Sequence, residues 1–364
     1  MKKCPVTNPS PDLATPYLTV DLDVLDRNVA AMAAEARARG LSLRPHVKTH
    51  KCREIALRQR AAGAVGITVA TVSEAEVFVD AGFGDVFIAY PLWVDRARGA
   101  RLCSLVERCS LRIGVDSLEG AEALARNMGG GGAFEVLIEI DSGHHRSGVS
   151  PDAAGELAVA ADRAGLRVRG VFTFPGHSYR PGLARPAAAD EARALAGAAA
   201  CLRAAGVAAD VLSGGSTPTA LFTDAESVTE MRPGVYVFND AQQLELGTCS
   251  LGDIALTAAA TVVSRAAGRV VLDAGSKVLG ADRPAWATGY GRLADHPHVR
   301  VSALSEHHAT VTWPESCAPP ELGETLRVVP NHVCAAVNLA DELVVMAGGT
   351  IVDRWRVEAR GANN

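Results

Sequence analysis

The sequence predicts a (β/α)8 barrel followed by an all-β domain, and three observations carry that expectation. Between about residues 40 and 245, eight short apolar, β-branched runs alternate with Ala-rich helical stretches, as strands buried on both faces alternate with helices. After about residue 250 the long Ala-rich helices vanish and strand-like runs separated by Gly, Pro and Asp take over. Polar residues suited to chemistry gather after the barrel runs, where barrels keep their active sites. An open doubly wound sheet shares the alternation and is the alternative. The expected organisation is 1–39 as an N-terminal strand and helix leading into the barrel, 40–250 as the barrel, and 251–364 as the β domain.

Taken in order, Tyr17–Asp21 is a strand that joins the later β domain, and Asp23–Ala38 a helix leading into the barrel. The eight runs are Leu41–Val47, Val65–Ala70, Asp85–Tyr90, Ser110–Val115, Phe134–Ile140, Leu166–Phe174, Ala209–Leu212 and Val235–Phe238. Between them, Ser73–Ala81 opens with a Ser-Glu-Ala-Glu capping pattern. Ser117–Met128, Ala153–Ala164 and Ala187–Ala205 read as helices, Gly129–Gly132 as a turn and Pro181–Pro186 as a loop. The later strands are Ile254–Ser264, Arg269–Asp273, Val299–Ala303, His308–Trp313, Thr325–Val329, Glu342–Met346 and Thr350–Val357.

Composition excludes several classes of function. The chain has 364 residues, 48% hydrophobic and 21% charged, which fits a globular protein with a sizeable core. A net charge of −5 gives no basic field for nucleic acid. No apolar run reaches the ~20 residues of a membrane span. Met1-Lys2-Lys3-Cys4-Pro5 is not followed by an apolar secretion segment. The 8 cysteines are scattered, without a C-x-x-C pair, so a reduced, cytoplasmic protein is expected.

The ends of the runs supply the candidate site. Lys48, in Arg44-Pro45-His46-Val47-Lys48-Thr49-His50-Lys51, closes the first run. A strand-end lysine whose amine is freed by neighbouring cations suits Schiff-base chemistry, and Arg44, His46, His50 and Lys51 are the expected cations. Most lysines at such positions are solvated surface groups. Asp141-Ser142-Gly143-His144-His145-Arg146 follows the fifth run, and Pro175-Gly176-His177-Ser178-Tyr179 the sixth. Ser213-Gly214-Gly215-Ser216-Thr217-Pro218-Thr219 follows the seventh. Its two glycines, hydroxyls and following helix-like stretch suit a phosphate held by free backbone N–H groups; a glycine turn with a hydroxyl cap fits equally well. A phosphate cradle together with a strand-end lysine implies pyridoxal phosphate.

Thr15-Pro16-Tyr17-Leu18-Thr19-Val20-Asp21, Asn28 and the PHVKTHK segment resemble fold-type III pyridoxal-phosphate enzymes, which share the alanine racemase-like barrel. Within them the chain is similar to the D-serine dehydratase / D-threonine aldolase group, from about Thr15 to Arg360. The resemblance implies Lys48 as the Schiff-base lysine and Arg146 facing the pyridine nitrogen. It places His177, Tyr179, Gly214, Gly215, Ser216, Thr217 and Tyr236 around the phosphate and ring. A homodimer is likewise implied.

The second feature is Pro330-Asn331-His332-Val333-Cys334. On a strand, positions i and i+2 share a face, so His332 and Cys334 would address one ion. Imidazole with thiolate favours zinc. On spacing alone, a buried cysteine beside a polar histidine is the commoner outcome. The resemblance implies a metal-binding pair here, in the His-x-Cys form of the dehydratases rather than the His-x-Asp form of the aldolases. It also marks His307, in Glu306-His307-His308, as a proton carrier; a hydrated polar loop reads as well. The expected activity is dehydration of D-serine to pyruvate and ammonia. Retro-aldol cleavage to glycine and an aldehyde is the alternative, with a racemase or a cofactor carrier without lyase turnover as further ones.

Overall fold

The computed structural model describes residues 13–129 and 134–364. Met1–Pro5 and most of the Gly129–Gly132 turn lie outside them. The chain divides into two compact units.

One unit, residues 31–48, 55–234 and 362–364, is an eight-stranded parallel sheet. Its strands are β2 (Ser42–Leu43), β3 (Ile67–Val69), β4 (Asp85–Pro91), β5 (Ser110–Val115), β6 (Glu135–Glu139), β7 (Arg167–Phe172), β8 (Val211–Gly214) and β9 (Glu230–Met231). They pair in the order β2-β9-β8-β7-β6-β5-β4-β3. A parallel bridge between His46 and Thr68 joins the two ends of that order and closes the ring. The helices are α2 (Arg53–Ala61), α3 (Val72–Asp80), α4 (Arg96–Val106), α5 (Leu118–Met128), α6 (Ala154–Arg163) and α7 (Ala184–Ala204); α2 begins just before this unit resumes. The expected barrel is therefore present, and the open sheet is not.

The barrel interior carries an apolar cluster of Phe87, Leu137 and Phe172, with the two rings edge to face at 5.1 Å. Beside it lies an ionic group. Buried Arg44 reaches Glu230 at 2.6 Å and Asp85 at 2.6 Å, and Arg112 lies 3.5 Å from the same Glu230. Burial alone would raise the Glu230 carboxyl, but Arg44 and Arg112 hold it below its ordinary value. This network corrects the eighth strand. Glu230–Met231 occupies that place, because a buried glutamate is tolerated where arginines pair with it. The apolar Val235–Phe238 instead begins a 3-10 turn, Val235–Val237, directly after Pro233-Gly234.

Helix starts also differ from expectation for a local reason. The cap of α3 is Thr71, whose Oγ1 accepts from the Glu74 N–H at 3.1 Å, while Glu74 accepts from the Ala70 N–H at 2.7 Å; Ser73 is already inside the helix. Helix α7 begins at Ala184, so Pro186 sits in its first turn, where no helical N–H bond is lost.

The other unit, residues 1–30, 49–54 and 235–361, is built on a nine-stranded sheet. Its strands are β1 (Tyr17–Asp21), β10 (Leu256–Ala266), β11 (Arg269–Leu272), β12 (Gly291–Leu293), β13 (Val301–Leu304), β14 (Ala309–Thr312), β15 (Thr325–Pro330), β16 (Glu342–Ala347) and β17 (Thr350–Arg356). As expected, β1 belongs here. It pairs antiparallel with β10 and parallel with β16, and is followed by α1 (Leu22–Ala38). The short helices α8 (Ala241–Leu246), α9 (Ser276–Leu279) and α10 (Val333–Leu339) complete it. Helix α10 is a correction: the metal-pair segment was expected as a strand and turns helical at Val333. No helix among the described residues is long and apolar enough to cross a membrane.

Candidate active site

In the barrel unit, Lys48 does not end a strand. It lies in the 3-10 turn Val47–Thr49, half-buried. Its amine is 5.8 Å from the Phe174 ring centroid, and the Arg146 guanidinium stands 5.2 Å from the same centroid. His144 meets that ring edge-on at 5.5 Å, and Tyr179 packs against it at 6.1 Å. Phe174 is thus the hub on which Lys48, Arg146, His144 and Tyr179 converge. Burial, Arg146 and His177 depress the His144 imidazole, which favours its neutral form.

Three of the four expected cations, Arg44, Lys51 and His50, have partners of their own. Arg44 is neutralised by Glu230 and Asp85. The Lys51 amine donates to Asn338 Oδ1 at 2.8 Å, and buried His50 accepts from the Cys52 N–H through Nδ1. Arg146 shares the Phe174 ring with Lys48.

The loop after β8 is buried from Gly214 to Ala220. Gly215 has φ +84, and a Cβ there would meet Met231 at 3.2 Å, so glycine is required. The Oγ atoms of Ser178 and Ser216 are 3.0 Å apart, as are Ser216 Oγ and Thr219 Oγ1. The expectation of free backbone donors needs correction. The Gly215 N–H donates to Glu191 Oε1, and the Ser216 N–H to Thr219 Oγ1 at 2.9 Å. The helix-like stretch is a 3-10 turn, Ala220–Phe222. Hydroxyls rather than a helix end therefore line this loop. His177 contributes a buried Nδ1 without a hydrogen-bond partner, while its Nε2 lies 3.2 Å from Asp190. An amine, a guanidinium, clustered hydroxyls and an orphaned imidazole nitrogen fit a phosphorylated pyridine aldehyde.

Glu191, on α7, is fully buried. Burial pushes its carboxyl up to about 7 from 4.5, against the Gly215 N–H and Arg232, which lower it. Between those two values the folded chain holds a proton that the unfolded chain has lost, so stability falls as pH rises through that window. The loss is on the order of 3 kcal/mol. Urea unfolding at pH 5 and pH 8 should show this slope in the wild-type chain and a flatter one in Glu191→Gln.

In the β unit, His332 is the N-cap of α10 with φ −133, and Cys334 is its second residue. The pair converges through a strand-to-helix turn rather than across a strand face. His332 Nδ1 hydrogen-bonds Asp282 Oδ2, leaving Nε2 for another partner. Burial alone would push the imidazole down, but Cys334, the bonds to Asp282 and Cys334, and the Asp240 charge push it up to about 11. Cys334 Sγ lies 3.3 Å from Thr49 Oγ1. Buried Asp240, pushed up to about 6 by burial, accepts the Val333 N–H through Oδ2. A nitrogen, a sulfur and a carboxylate behind the imidazole fit a divalent transition metal.

Tyr236 is buried in the turn Val235–Val237 of this unit, and His307 stands exposed between β13 and β14. Phe174, His144, Glu191, Asp282, Asp240 and Thr49 are missing from the sequence-derived site. His144 and Thr49 carry a local signal, inside the His144-His145-Arg146 run and the PHVKTHK segment. If Asp282 fixes the imidazole, Asp282→Ala should weaken metal binding about 10–100-fold in a chelator competition, with Asp282→Asn partly restoring it. Equal affinities in all three proteins would refute the assignment.

The family of alanine racemase N-terminal domains matches residues 20–242, and the putative serine dehydratase domain matches residues 255–346. The chain is 38% identical to D-threo-3-hydroxyaspartate dehydratase of Delftia sp. (strain HT23), over 94% of this chain and 97% of that one. It is 37% identical to D-threonine aldolase of Arthrobacter sp, over 98% and 96%. It is 28% identical to D-serine dehydratase of Dictyostelium discoideum, over 95% and 96%. A solved D-threo-3-hydroxyaspartate dehydratase with a cysteine replaced by alanine, in a metal-free form, superposes with TM-score 0.86 at 37% identity, covering 95% of this chain and 97% of that one. Another solved variant of that enzyme replaces a histidine two positions earlier. With one family domain over more than half its length and two relatives above 30% identity along nearly all of it, the chain belongs to the D-serine dehydratase / D-threonine aldolase group of fold-type III pyridoxal-phosphate lyases.

Proposed function

We propose that the chain is a pyridoxal-phosphate- and metal-dependent dehydratase of D-3-hydroxy amino acids, converting D-serine to pyruvate and ammonia. The observation that carries this reading is the His332–Cys334 pair with Asp282 on the imidazole. A nitrogen and a sulfur ligand leave positions open on a divalent ion, as catalytic sites require.

His332 and Cys334 would hold the metal, with zinc favoured by the imidazole–thiolate set. Asp282 would keep Nε2 available, and the Thr49 hydroxyl would donate to the thiolate. The bound ion supplies Lewis acidity toward a substrate hydroxyl. Lys48 would hold the cofactor aldehyde through Nζ and, once released, take the substrate Cα proton. Arg146 would face the pyridine nitrogen. A guanidinium does not give up a proton, so the ring nitrogen stays unprotonated. The Ser178, Ser216 and Thr217 hydroxyls would hold the phosphate, with Gly214 and Gly215 forming the loop and His177, Tyr179 and Tyr236 lining the ring. Pyridoxal phosphate supplies the electron sink for charge developing at Cα.

A second substrate is supported by the relative at 38% identity: D-threo-3-hydroxyaspartate, whose elimination gives oxaloacetate and ammonia. Retro-aldol cleavage is the competing outcome. It would use His307 to take the β-hydroxyl proton, and it is supported by the aldolase relative. Lyase relatives covering both parts of the chain favour turnover over a carrier role. A homodimer in the cytoplasm goes with this reading, and light scattering of the full chain tests the dimer. The function is tested by identifying products from D-serine, D-threo-3-hydroxyaspartate and D-threonine. Keto acid with ammonia supports the dehydratase; glycine with aldehyde contradicts it.

A further inference from the structure

Behind the loop after β8 stands a carboxyl that the proposed chemistry does not use. Glu191, on α7, is fully buried, and its Oε1 accepts the Gly215 N–H. Its Oε2 is buried without a hydrogen-bond partner. Contact with the loop is close on both sides: a Cβ at Gly214 would lie 2.3 Å from Glu191 Oε1 and 3.3 Å from Leu195 on the same helix. The loop thus leans on the helix through one hydrogen bond, with no room for a side chain at residue 214. The hydroxyl end of the same loop is tied to the preceding turn by Ser178 and Ser216.

We propose that Glu191 is a positioning residue for the cofactor phosphate. By accepting the Gly215 N–H and filling the space behind Gly214, it sets the path of residues 214–217 and so turns the Ser216 and Thr217 hydroxyls toward the phosphate. The inference rests on reading 214–217 as the phosphate cradle. A carboxyl suits this task because burial pushes it up to about 7, so that its protonated form is well populated near neutral pH. A neutral acid accepts the N–H through its carbonyl oxygen without setting a full negative charge behind a loop that must receive a phosphate dianion. Glutamine reproduces that acceptor, whereas leucine leaves the Gly215 N–H buried and unpaired.

The test compares two probes on the full-length chain, pyridoxal 5'-phosphate and unphosphorylated pyridoxal, each titrated by the absorbance of its Schiff base. Glu191→Leu and Gly214→Ala should each weaken pyridoxal 5'-phosphate about tenfold or more, as expected when a buried donor loses its partner. Pyridoxal should bind each variant as it binds wild type, and Glu191→Gln should bind both probes like wild type. Equal weakening of both probes, or no weakening of either in folded variants, would overturn the proposal. A leucine variant that fails to fold leaves Gly214→Ala and Glu191→Gln to decide. A glutamine variant that loses the phosphorylated probe selectively would overturn the neutral-acceptor account. The underlying cofactor reading fails in a different way, as a wild-type chain that forms no Schiff base with pyridoxal 5'-phosphate.

Discussion

Lys48→Ala should abolish the Schiff-base absorbance and lower lyase turnover by ~10^3-fold or more, since on the proposed reading it removes both the covalent anchor and the base for the Cα proton. The fold should be kept. Lys48 is half-buried in a 3-10 turn, and the buried neighbours that fix that turn are Val47 and Thr49. Arg44, Arg112, Asp85, Glu135 and Glu230 form ion pairs in the barrel interior, and the substitution leaves these in place. Spectral titration with the cofactor, run beside a thermal melt, separates loss of chemistry from loss of structure. A Lys48→Ala protein that keeps both absorbance and turnover would show that another amine does the work.

Cys334→Ala and His332→Ala should give the second large effect. On the proposed reading each removes one of two protein ligands, so turnover should fall by ~10^3-fold or more, as expected when a Lewis acid worth several kcal/mol is lost. Cofactor absorbance should be unchanged, because on the proposed reading Lys48 holds the cofactor, while the pair hydrogen-bonds Thr49 and Asp282. Chelation of the wild-type chain should reproduce the loss, and added zinc should restore the wild-type chain but neither variant. Elemental analysis of the three proteins gives the metal content directly. Full activity after chelation would remove the metal from the account.

The barrel was legible because parallel strands buried on both faces leave short β-branched runs, and Ser110–Val115 falls on the same residues in sequence and structure. Glu230–Met231 was not legible as a strand. Its glutamate is stabilised by Arg44 and Arg112, partners distant in sequence that hydrophobic periodicity cannot register. Val235–Phe238 misled for the opposite reason: its β-branched and aromatic side chains are buried in a turn rather than in a ladder. The same holds for His332–Leu339, where Val333, Cys334 and Val337 suggest a strand while the structure caps a short helix at His332. Lys48, Arg146 and the Gly214–Thr217 loop could be singled out because their residue types suit a recognisable chemistry. Phe174, Glu191 and Asp282 could not, since each acts through one contact made only in three dimensions: a ring beneath two cations, a carboxyl behind a glycine, and a carboxylate on an imidazole.

Product analysis of the full-length protein, supplied with pyridoxal 5'-phosphate and zinc and given D-serine, tests the central claim most directly. The account predicts pyruvate and ammonia in equal amounts, lost on chelation and regained with metal. No keto acid from D-serine or D-threo-3-hydroxyaspartate, together with glycine and acetaldehyde from D-threonine, would contradict it and assign the same residues to carbon–carbon cleavage.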